Sequence, residues 1–111
     1  MEMATNRQKA IDRALTLTIP RVPFYDAEAI REAAKAPHLR DMPPAQALWL
    51  AAIAHIRHQH TDYDTLRDEG YGRDEALFFV LDGINEVLDD WGATRHLTSQ
   101  PEHQAADEAD E

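Results

Sequence analysis

Between residues 55 and 64 the chain reads HIRHQHTDYD, placing three histidines, an arginine, two aspartates and a tyrosine in ten positions. These side chains can ligate divalent metals or move protons near neutral pH. His55 and His58 lie three apart, so on a helix they share a face and could hold one metal ion. On the same helix His60 would point about 140° away from His55, so a three-histidine site requires the helix to break before it. Asp62 and Asp64 could then add oxygen ligands from the next turn. The spacing matches neither HExxH nor the Glu-x-x-His pairs of di-iron helices.

A structural reading accounts for the same residues with fewer assumptions. Thr61 with Asp64 three positions later resembles a capping box, and Asp62 suits a positive helix N-terminus. His58 and His60 fall at the C-terminus of the preceding helix, where the helix dipole favours positive charge, and Arg57 could pair with acids further along. Arg57, Thr61, Asp62, Tyr63 and Asp64 then form a tight helix-helix corner. The capping account does not need Tyr63, whose tip would seek a hydrogen bond from His58, Arg57 or Asp74.

The elements that must position this corner are all helical, since alternation is absent, β-branched residues are sparse and alanine is abundant. A first helix starts near Thr5 or Asn6, carries Ile11, Ala14, Leu15 and Thr18 on one side, and stops before Pro20 and Pro23. In the second, short helix Asp26 is the expected N-cap, with Tyr25 packing on Ile30 as a staple. The third opens at Pro44, where a first-turn proline is tolerated. Its stripe is Ala45, Leu48, Trp49, Ala52, Ile53 and Ile56, while Ala47, Leu50, Ala51 and Ala54 make a second apolar face. That second face fits a neighbouring helix or a two-fold homodimer.

A two-turn helix over 62–69, stopped by Gly70, leads to the last and most periodic helix, with Leu77, Val80, Leu81, Ile84, Val87, Leu88 and Trp91 on one stripe. Gly83 in its middle suggests a close neighbour. Phe79 falls nearly opposite the stripe, among Glu86 and Asp90, and Phe78 is also off it. Leu66 and Tyr71 could cover Phe79, or a partner could. The expectation is an all-α domain over residues 4–92, a small bundle of four to five helices around a central alanine-rich helix. A disordered acidic tail over 93–111 is expected to follow, carrying five acids in its last ten residues.

The segment IRHQHTDYDTLRDEGYGRDEALFFVLDGINEVLDDW, residues 56–91, resembles the family named domain of unknown function 2293. The resemblance rests on Arg57, His58, Thr61, Asp62, Tyr63 and Asp64, then Arg73, Asp74, Glu75 and Ala76, then Val87, Leu88 and Trp91. Leu77 stands where the family pattern leads one to expect arginine. The resemblance carries no activity with it.

Charge narrows the function classes. The net charge is -10, with 8 Lys/Arg and 6 Asp/Glu in residues 1–60 against 3 and 15 in residues 61–111. Clustered cations for a phosphate backbone are missing, so direct nucleic-acid binding is not expected. No signal peptide or membrane span is visible and cysteine is absent, which leads to the expectation of a soluble cytoplasmic protein without disulfides. The reading is an interaction or regulatory module that meets a basic protein partner through Phe78, Phe79, Asp82, Glu86 and Asp90, with no cofactor. The alternative is a metal-dependent or acid/base enzyme centred on His55, His58, His60, Asp62 and Asp64.

Overall fold

A computed structural model of the chain describes residues 5–98. Among these residues five α-helices follow one another: α1 Asn6–Thr18, α2 Phe24–Ala33, α3 Pro44–His60, α4 Tyr63–Asp68 and α5 Arg73–Asp90, with a 3₁₀ turn Pro37–Leu39 before α3. No strand occurs among the described residues. The architecture is the expected all-α bundle, and its centre is α3, which packs against α1, α2, α4 and α5.

The helix starts follow from local chemistry. Thr5 and Gln8 form a capping box on α1: the Thr5 hydroxyl accepts from Gln8 N–H at 3.0 Å, and Thr5 N–H donates to the Gln8 side chain at 3.0 Å. Pro44 occupies the first turn of α3 behind Pro43, where no intrahelical N–H is needed. Gly70, at φ +106°, takes the left-handed conformation that ends α4, a backbone state that side chains with a Cβ rarely adopt.

Burial follows the periodicity. Ile11, Ala14 and Leu15 of α1, Leu48, Trp49, Ala52, Ile53 and Ile56 of α3, and Val80, Ile84 and Leu88 of α5 all lie in one core. Ala45, expected on the α3 stripe, is exposed in the first turn. On the other face of α3, Ala47 and Ala51 are covered within the chain itself, while Leu50 and Ala54 are half-buried. Two arginines fasten the N-terminal part. Arg7 donates to the carbonyls of Leu39 and Met42, both at 2.9 Å, and Arg31 pairs with Asp12 at 2.8 Å and with Glu28.

The packed chain continues past the expected boundary at residue 92. Leu97 is buried, and the Asn85 side chain grips its backbone twice: the amide donates to the Leu97 carbonyl at 3.0 Å, and Leu97 N–H donates back at 2.9 Å. Arg95 lies over the Trp49 ring at 4.0 Å, and Thr94 N–H donates to the Thr18 carbonyl. The expected tail from residue 99 onward falls outside the described residues. No helix among the described residues is long and apolar enough to cross a membrane.

Candidate functional site

The histidines of the dense segment divide between two environments. His55 sits in the body of α3 and His60 is its last residue, so both depend on that helix running unbroken to residue 60. Opposite them stands Asp26, in the first turn of α2. One oxygen of its carboxylate, Oδ1, lies 2.7 Å from His55 Nε2 and 2.8 Å from His60 Nε2. Trp91, at the end of α5, backs both rings, with centroids 6.5 Å from His55 and 5.6 Å from His60. The side chains of His55 and Asp26 are 11% and 14% exposed, whereas that of His60 is 35% exposed, so the cluster is closed at one end and open at the other.

Burial opposes ionisation of Asp26, but the hydrogen bonds from His55 and His60 and the positive charge their rings carry when protonated outweigh it together. They hold the carboxyl below its usual range. Asp26 therefore remains a carboxylate at the heart of the cluster.

Two local expectations about α2 change. The helix begins at Phe24 behind Pro23, so Asp26 lies inside the first turn and makes no side-chain cap. Tyr25 is 84% exposed and does not staple Ile30. Local sequence gives no hint that Asp26 is shared by two histidines. Its partners are 29 and 34 residues away, and only the packing of α2 on α3 brings them together. His55 and His60 leave the helix backbone about 140° apart, yet their ring centroids are 5.7 Å apart because both side chains lean towards the same carboxylate.

His58 is not part of this group. Its Nδ1 lies 2.7 Å from Asp64 Oδ1, and its ring meets Tyr63 edge-on at 5.8 Å. The corner is thus built differently from a capping box. Asp62 holds the N-cap position of α4 without a side-chain cap, and Thr61 does the local work. Its hydroxyl donates to the Arg57 carbonyl at 2.5 Å and accepts from Tyr63 N–H at 3.2 Å. Tyr63 is buried and engages its neighbours through its ring, with the Arg57 guanidinium 5.0 Å from the ring centre. Arg57 Nε is buried and without a hydrogen-bond partner.

The third feature is the outer face of α5. Phe78 and Phe79 are 70% and 58% exposed, and their rings meet at 6.0 Å. Tyr71 touches Phe79 edge-on at 5.4 Å but leaves most of it open. Asp74, Glu75, Asp82, Glu86, Asp89 and Asp90 are all exposed along the same helix. Of the site residues expected from sequence, Phe78, Phe79, Asp82, Glu86 and Asp90 therefore share an accessible helix, while His55 and His58 part company.

Comparison with known proteins adds one finding. Neither the curated proteins nor the solved structures give a match. A family model does, over residues 14–92, which takes in everything from the second half of α1 through the corner and the whole of α5 to Gly92. The chain belongs to the family described as uncharacterized conserved protein (DUF2293).

Proposed function

We propose that this protein is a small helical interaction module that binds a basic protein segment along the exposed face of α5. The observation that carries the reading is the exposure of Phe78 and Phe79, 70% and 58%, on a helix whose exposed positions also bear Asp82, Glu86 and Asp90. Aromatics left this exposed forgo most of what burial would contribute to the fold, and such patches mark contact surfaces. Aromatic faces attract guanidinium groups, and the carboxylates beside them complement positive charge. Together they fit an amphipathic segment carrying arginine and a few apolar side chains.

The test uses the full chain and a labelled, arginine-rich amphipathic helical peptide, followed by fluorescence anisotropy and by backbone amide shifts. Binding should map to α5 and Tyr71, weaken as salt is raised, and fall at least tenfold in Phe79→Asp. The triple change Asp82→Asn, Glu86→Gln, Asp90→Asn should weaken it by a similar factor. Shifts centred elsewhere, or an affinity indifferent to Phe79→Asp, would overturn the reading.

A further inference from the structure

Away from the α5 face, the described side chains converge most closely on a different chemistry. We propose that Asp26, His55 and His60 form a binding site for one divalent transition-metal ion of the zinc class, held by two imidazole nitrogens and one carboxylate oxygen. Independent of the partner reading, the inference rests on placement, donor type and surroundings.

The placement is a tripod. One ligating atom from each of the three residues lies within 4.8 Å of the other two. A tetrahedral zinc ion with bonds of about 2.1 Å keeps its ligands roughly 3.4 Å apart. The two nitrogens stand 2.7 and 2.8 Å from the Asp26 oxygen, so each ring must move outwards by roughly 0.6–0.7 Å to admit the ion. Both histidines project from one continuous helix and Asp26 from the helix packed against it, so the set is mounted on rigid elements.

Donor type selects the metal. Two imidazoles and one carboxylate suit zinc and its first-row neighbours iron(II), cobalt and nickel, whereas calcium and magnesium prefer all-oxygen shells. His55 and His60 would present the Nε2 lone pair to the ion and keep their ring proton on Nδ1.

The surroundings supply the remainder of a site. Trp91 walls off the inner side of both rings, which fixes their orientation in an apolar shell. The outer side opens past His60, and a fourth position there would be taken by water. His58 is excluded, because Asp64 holds it in the corner. It is therefore the natural control.

The experiment is calorimetric titration of zinc chloride into the full chain without a histidine tag, paired with the visible absorption of the cobalt(II)-loaded protein. One equivalent of zinc should bind, cobalt should give the intense band of a four-coordinate ion, and His58→Gln should leave both unchanged. His60→Gln and Asp26→Asn should each weaken zinc at least tenfold. His60 is partly exposed, so His60→Gln should keep its helical circular dichroism and decides the matter if Asp26→Asn unfolds. Absence of zinc binding, binding insensitive to His60→Gln, or binding lost in His58→Gln would each overturn the proposal.

Discussion

Asp26 holds two histidines with a single carboxylate oxygen, and the consequence reaches stability as well as metal chemistry. Its carboxyl is depressed in the folded chain, so the unfolded chain binds the extra proton first as pH falls. The contribution of Asp26 is therefore fully present above the ordinary aspartate value of about 4 and is lost as pH drops through the lower folded value. Asp26→Asn, which keeps an acceptor but removes the charge, should cost about 2 kcal/mol near pH 6 in metal-free protein, a typical magnitude for hydrogen bonds to a charged group. Urea unfolding of both proteins between pH 6 and pH 2 should show that gap closing towards the acid end. A gap that stays constant over the range would contradict the ionised role.

Among the elements, α5 and the turn that follows it carry one glycine each, Gly83 and Gly92, and the two should respond in opposite directions. A Cβ on Gly83 would sit 3.8 Å from Thr61 Cγ2, an ordinary contact, so the neighbour expected beside it is present but does not require glycine. Gly83→Ala should stabilise the fold by about 1 kcal/mol through helix propensity, raising Tm by about 4–8 °C. Gly92 is different. It takes φ +73° just after α5, and a Cβ there would meet the Arg21 guanidinium at 2.9 Å. Gly92→Ala should destabilise by about 1–3 kcal/mol, and thermal unfolding of the two variants side by side would expose the contrast.

For the whole molecule, the segment after α5 behaves as a strap across the bundle. Leu97 is buried, Asn85 satisfies its backbone on both sides, and Arg95 covers Trp49. Ending the chain after Gly92 should therefore cost about 2 kcal/mol for the lost burial of Leu97 alone. Asn85→Ala should cost about 1 kcal/mol by leaving the Leu97 backbone unpaired. If chemical denaturation finds the shortened chain as stable as the full one, the strap adds nothing to the fold.

The sequence by itself determined the helices and their inward faces, because hydrophobic periodicity, prolines and caps act over a few residues. The stripe of Val80, Ile84 and Leu88 is buried as its spacing requires, and Phe79 stands off it in solvent. The family was legible from the TDYD and RDEA segments and the final Val-Leu-x-x-Trp pattern, and its match extends from residue 14 to residue 92. Only tertiary structure decided how the histidines are shared. Spacing joined His55 to His58, but packing gave His58 to Asp64 and brought His55 and His60 to Asp26 across 29 and 34 residues. Leu97 was hidden for the same reason, since its burial depends on Asn85 and on the bundle beneath it. Contacts between distant residues are set by how whole helices pack, and patterns over a few residues name the buried faces without specifying which side chains meet across them.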